Sequence, residues 1–139
     1  MRERLEIGRQ SVGATKVYAR LADLLALLPS RATKSRWTVE PFADRDHRWF
    51  EFVAEHEGPH PLDEVAESGD RISFVKLRVV AAETGQVIWG VFSAYDGGDD
   101  SQPWMKLIAY DGGWEVETAD DKVKRRIERS FVVESRVQL

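Results

Sequence analysis

The sequence predicts an α+β chain: an N-terminal helix packed on an antiparallel meander sheet of five to six strands, with a second helix near the C-terminus. Three observations carry this. Val17, Leu21, Leu24, Leu25 and Leu28 recur at spacings of three and four, which gathers them on one helix face. Residues 72–95 and 104–117 are dense in β-branched and aromatic residues and are broken by short turns. Residues 120–130 place acids before cations, the order that the helix dipole favours. No internal repeat and no Pro/Gly/Ser-rich linker divides the 139 residues, so one domain over 1–139 is the economical division.

The first helix is expected over Val12 to Leu28, opened by Ser11 or Thr15 as a cap and ended by Pro29. Arg36 to Phe42 reads as a short strand closed by Pro41 and the Asp44-Arg45-Asp46 turn. Arg48 to His56 alternates at the strand period, with Phe50, Phe52 and Ala54 on one face. Residues 57–70 are rich in turn formers and acids and are expected outside the sheet, with room for a helical turn at Leu62 to Ala66. Ile72 to Ala82 and Gln86 to Tyr95 then form a long hairpin around Glu83-Thr84-Gly85. After the loop Gly97-Gly98-Asp99-Asp100 come a strand at Trp104 to Tyr110, a tight turn at Asp111-Gly112-Gly113 and a return strand at Trp114 to Glu117. A helix at Asp120 to Ser130 and an edge strand at Phe131 to Val137 complete the order. That order is compatible with helix-on-curved-sheet architectures of the cystatin-like or NTF2-like kind, a comparison of layout that no motif in this chain carries.

Composition bounds the chemistry. With no cysteine, a disulfide framework, a thiolate zinc site and a cysteine nucleophile are all out of reach. The first ten residues lack the apolar run of a signal peptide, and no stretch approaches the ~18 apolar residues of a membrane span, so a cytoplasmic chain without membrane contact is expected. The net charge of −4 is unevenly spread: residues 1–39 hold eight basic and three acidic groups, and residues 40–70 hold two basic and ten acidic. Nucleic-acid binding draws on many phosphate-neutralising cations, so this acidic balance argues against it.

One motif invites a metal. His56-Glu57-Gly58-Pro59-His60 matches H-E-x-x-H, in which two histidines one helical turn apart hold zinc. The chemistry needs helical backbone, whereas Pro59 lacks an amide donor and biases Gly58 away from the α region. No metal or cofactor is therefore expected; a loop site from His56, His60 and Asp63 or Glu64 is the alternative form of the same idea. The histidines are confined to 47–60 and no serine sits in a G-x-S-x-G elbow, so no triad can be built. The glycine pairs at 97–98 and 112–113 begin no phosphate-binding pattern, and the carboxylate pairs Asp99 with Asp100 and Asp120 with Asp121 read as turns and caps.

Two surfaces remain. If Trp104, Lys106, Ile108 and Tyr110 align beside Phe74, Lys76, Arg78 and Val80, one sheet face mixes aromatic rings with the cations Lys76, Arg78 and Lys106. The late helix carries Lys122, Lys124, Arg125, Arg126 and Arg129 around a Val123–Ile127 stripe, suited to an acidic partner or to the 40–70 segment of a second copy in a homodimer. The five tryptophans divide between core and binding roles, with core favoured for strand positions. The function expected is a non-enzymatic binding or regulatory module acting on a protein partner. The alternatives are an enzyme or small-molecule binder with a pocket between first helix and sheet, and nucleic-acid binding through the basic and aromatic face.

Overall fold

The computed structural model describes residues 1–8, 10–12, 15–44, 46–54, 57–97 and 102–139, with the backbone alone for 10–12 and 15–17. In chain order the elements are β1 (Glu3–Ile7), β2 (Gln10–Val12), β3 (Thr15–Val17), α1 (Leu21–Ala26), α2 (Ser30–Thr33), β4 (Arg36–Glu40), β5 (Phe42–Asp44), β6 (His47–Trp49), β7 (Glu51–Ala54), α3 (Pro61–Ser68), β8 (Ile72–Ser73), α4 (Phe74–Ala82), β9 (Thr84–Tyr95), β10 (Met105–Tyr110), β11 (Gly113–Thr118), α5 (Asp121–Ser130) and β12 (Val133–Gln138). The architecture is α+β, with a helix layer against one face of an antiparallel eight-stranded sheet. No helix among the described residues is long and apolar enough to cross a membrane.

Strand order is β12-β1-β11-β10-β9-β4-β8, with β7 also paired to β9. The expected meander exists as β9-β10-β11, but the N-terminal strand β1 lies between β11 and β12, which leaves β12 as an edge. Alternation decides the faces. Leu5 and Ile7 of β1, Trp37 and Val39 of β4, Phe92 and Ala94 of β9, Met105 and Leu107 of β10, and Trp114 and Val116 of β11 point into one buried cluster. Leu21, Leu24 and Leu25 of α1, Phe74, Leu77 and Val80 of α4, and Val123 and Ile127 of α5 meet them there. The tight turn between β10 and β11 is Asp111-Gly112, both at positive φ (48° and 87°), as a two-residue hairpin turn of the primed type requires.

Three expectations are corrected. The helix foreseen over Val12 to Leu28 is confined to Leu21–Ala26, because Thr15–Val17 pairs with Gln10–Val12 as a hairpin. Only Leu21, Leu24 and Leu25 of the proposed stripe are helical, and the helix opens where the Arg20 N–H donates to Asp23 Oδ2 at 3.0 Å. The charged and apolar alternation of residues 3–7 marks β1, a strand absent from the expected order.

The strand foreseen at Ile72 to Ala82 is a strand for two residues only. Trp37 pairs with Ile72 and Arg36 with Ser73, after which Ser73 Oγ accepts the Lys76 N–H at 3.1 Å and starts α4. Phe74, Leu77, Val80 and Ala81 share one helical face and are buried beside α1 and β9. The β-branched composition pointed the other way, and burial of that face overrode it.

The acidic loop at 57–70 holds a full helix, α3, rather than a turn at Leu62 to Ala66. Pro61 occupies its first turn, where the missing N–H costs nothing, and Gly69 ends it at φ 68° in the left-handed region. Its cap is His60, whose Nδ1 accepts the Leu62 N–H at 3.0 Å.

Candidate functional site

The strand pair opposite β9 explains how a site arises. β9 is twelve residues long, and one of its edges is shared: β4 pairs with Val91–Tyr95, and β7 pairs with Thr84, Val87 and Trp89. Between them the chain leaves the ladder at Pro41, which has no N–H to give it, and makes the β5-β6 hairpin before returning. That excursion brings Phe42, His47 and Trp49 toward side chains on the sheet face turned away from the helices.

There Trp89 and Tyr110 stand on neighbouring strands with ring centroids 5.0 Å apart. Phe42 lies 5.4 Å from Trp89 and 5.3 Å from Tyr110. Trp49 stacks on Trp89 at 5.1 Å, touches Phe42 at 6.1 Å and carries His47 stacked at 5.3 Å on its outer side. These separations are the range in which aromatic pairs attract beyond their burial. Yet Trp49 remains 36% exposed and Tyr110 50%. The indole N–H groups of Trp37, Trp104 and Trp114 donate to Ala32 O, Ser35 Oγ and Ala19 O at 3.1, 2.9 and 2.7 Å. Among the described residues, no hydrogen bond occupies the N–H of Trp49 or Trp89.

Two clefts flank the patch. One of about 180 Å3 is lined by Tyr110, Trp114, Gly8 and the carboxylates of Glu6, Glu115 and Glu134. Burial raises Glu115 above the usual carboxylate range; Arg4, 3.5 Å away, pulls it down, and Glu6 and Glu117 push it up. Arg4 itself is held mainly by its cross-strand partner Glu117, at 2.7 Å. The other cleft, of about 450 Å3, lies between the hairpin and α3, with Pro41, Phe50 and Ala66 as apolar walls and Arg48, Asp63 and Glu67 at its edges.

The residues singled out in the sequence are dispersed. Lys76 and Arg78 lie on α4 in the helix layer, so they do not line a strand face with β10. Lys106 and Tyr110 are on the open face, where Tyr110 joins the aromatic patch. Trp104 precedes β10, half-buried, with the Arg31 guanidinium 4.2 Å above its ring. The same Arg31 binds Asp96 at 2.6 Å and holds that carboxyl below the usual range. Of the late-helix cations, Lys122, Arg125, Arg126 and Arg129 are exposed as expected. Lys124 is not: it is 7% exposed, and its Nζ donates to Met1 O at 3.0 Å and reaches Glu3 and Asp121 at 3.4 Å.

The H-E-x-x-H residues are placed as follows. His56 lies outside the described residues; Gly58 has φ 95°, and His60 is extended and precedes α3. The His60 ring is committed at both nitrogens, Nδ1 to Leu62 and Nε2 at 3.1 Å from Glu83 O, with Phe52 at 4.7 Å. Among the described residues no three histidine or carboxylate groups converge to hold a metal. The pair Asp99 and Asp100 also lies outside the described residues, whereas Asp120 caps α5 by accepting the Val123 N–H at 3.1 Å.

Phe42, His47, Trp49 and Trp89 escaped the sequence reading as a group. The available signal was a high aromatic density in 42–52, which begins after Pro41 and lies on both sides of an Asp-rich turn, and this fits a hairpin better than one continuous strand. Comparisons with protein-family models, with curated proteins and with solved structures found no match for this chain.

Proposed function

We propose that this chain is a non-enzymatic binding module that takes a protein partner on the aromatic patch formed by Phe42, His47, Trp49, Trp89 and Tyr110. One observation carries the proposal: two tryptophans are stacked on each other at the surface, with indole N–H groups that no group among the described residues accepts. Large aromatic side chains are normally spent on the core, and where they are held rigid and half-exposed they have the chemistry of interface hot spots. Mutual packing fixes the rings before a partner arrives, so little side-chain freedom remains to be lost on binding. Polar groups around them, Glu40, Arg48, Glu51 and Lys106, supply the rim that such interfaces have.

The rival readings find less support in this geometry. The interval between α1 and the sheet, where a small-molecule pocket was expected, is occupied by Leu21, Leu24 and Leu25, each at most 1% exposed. The cations foreseen for nucleic acid are divided, with Lys76 and Arg78 in the helix layer and Lys106 on the opposite side of the sheet.

The test is affinity capture from the native host with three baits side by side: wild type, Trp49→Ser and Trp89→Ser. A partner held by wild type and lost by both variants, whose far-ultraviolet circular dichroism matches wild type, is the expected result. Equal recovery on all three baits removes the patch as the contact.

A further inference from the structure

The outer side of the helix layer presents a second surface, which meets the hairpin along α3. Each of three helices there sorts its residues by the helical period. α3 buries Leu62 and Val65 and turns Asp63, Glu64 and Glu67 outward. α4 buries Phe74, Leu77, Val80 and Ala81 and exposes Val75 and Val79, one turn apart and 71% and 58% accessible, with the exposed cations Lys76 and Arg78 between them. α5 buries Val123, Lys124 and Ile127 and exposes Lys122, Arg125, Arg126 and Arg129, spaced i, i+3, i+4 and i+7.

The order of these stripes follows from their neighbours. α3 and α1 both pack beside α4. α5 reaches α1 where Arg126 Nη1 donates to Leu27 O at 3.1 Å. Across the layer the order is therefore the cationic α5, then α1, then α4 with two valines and two cations outward, then the acidic α3. Between α4 and α3 a cleft of about 170 Å3 is lined by Glu64, Val65, Ser68, Asp70, Ile72 and Lys76.

We propose that this chain forms a two-fold dimer through the outer side of its helix layer, each copy laying the cationic stripe of α5 on the acidic stripe of α3 in the other. A two-fold interface is self-complementary, so the cation-to-acid match is made twice. Placing α5 against α5 would oppose like charges, and charge thus selects between the two arrangements. Val75 and Val79 lie inside the charged margins and give the contact its apolar part, with Lys76 and Arg78 beside them. A standard contact covers about 800 Å2 per partner, near a tenth of the 7963 Å2 surface of one chain.

Asp63 and Glu67 also edge the cleft between the hairpin and α3, but the cationic stripe of α5 and the valines of α4 touch no residue of the patch. Trp49→Ser on one side and Arg125→Glu with Arg129→Glu on the other therefore make this proposal and the proposed function fail separately. Sedimentation equilibrium on the full chain tests it, with two charge-reversed versions: Arg125→Glu with Arg129→Glu, and Asp63→Lys with Glu67→Lys. Wild type at about 100 μM and low salt is expected at twice the 15.9 kDa chain mass, with Kd at least about tenfold weaker in ~0.5 M salt. Each reversed chain is expected as a monomer, and an equimolar mixture of the two is expected to recover the dimer. Should either fail to match the wild-type circular dichroism, Lys122→Glu and Glu64→Lys replace it. Val79→Asp is expected to abolish the dimer, and Trp49→Ser to leave it intact. A monomeric wild type, reversed chains that still dimerise, or a mixture that stays monomeric overturns the proposal.

Discussion

The sheet carries aromatic residues on both faces, and the two groups have opposite fates. On the helix side, Trp37 and Trp114 are 0% and 2% exposed, and Phe92 lies 5.9 Å from Trp114 and Phe74 6.2 Å from Trp37. On the open side, Trp49 and Trp89 stack against each other, Phe42 and Tyr110, and remain partly in solvent. Ring-to-ring packing is similar in the two groups. What separates them is the second layer: helices cover the first group, and Ala32 of α2 and Ala19 just before α1 supply carbonyls for its indoles, whereas a three-residue-strand hairpin covers the second. Aromatic packing by itself therefore does not define a core; completion by another layer does.

The strongest way to break this comparison is to truncate each group. Trp37→Ala and Trp114→Ala each leave a large void and remove a buried indole hydrogen bond, and are expected to lower stability by about 3–5 kcal/mol. Trp49→Ala and Trp89→Ala are expected to cost about 1 kcal/mol or less, since half-exposed side chains lose less burial. Urea unfolding checks this, and equal losses on the two faces would make the patch part of the core. A spectroscopic version sharpens the same contrast: iodide is expected to quench the fluorescence of Trp49 and Trp89 and spare that of Trp37 and Trp114. Trp49→Phe with Trp89→Phe should then remove most of the quenchable emission.

The smallest expected effect lies at the rim. Burial keeps the Glu115 carboxyl above its ordinary range, against the pull of Arg4 and with the push of Glu6 and Glu117. The folded chain thus takes up this proton at higher pH than the unfolded chain does. Its contribution favours the fold below the unfolded value and is lost as pH rises through the folded value. Glu115→Gln stays neutral throughout, so the urea midpoint of wild type relative to this variant is expected to rise as pH falls from about 7 to about 4. A difference independent of pH would show Glu115 to be as well solvated as any surface carboxylate.

Legibility in the sequence followed the uniqueness of each local signal. α5 was found within a residue, because Asp120 caps it, Val123 and Ile127 give one stripe, and no strand period competes. β10 and β11 were likewise clear, since Asp111-Gly112 admits a two-residue turn and alternating apolar residues flank it. α4 was misread because Phe74-Val75-Lys76-Leu77-Arg78-Val79-Val80 satisfies both periods: Val75, Leu77 and Val79 alternate, while Phe74, Leu77 and Val80 recur by three. Only Tyr110 of the patch stood among the residues proposed for a sheet face, and its partners Phe42, Trp49 and Trp89 come from segments up to 68 positions away.

By itself the sequence determined the class, an α+β chain with antiparallel strands, together with the late basic helix and the unsuitability of Gly58-Pro59 for a helical metal motif. These follow from local physics: dihedral limits, caps and apolar period act within a few residues of their cause. Tertiary structure decided the rest. Whether 74–82 coils or extends, whether Lys124 faces water or Glu3, and whether a tryptophan is core or patch each depend on which layer covers the segment. That covering is made by contacts between residues distant in the chain, whose energy no single stretch contains.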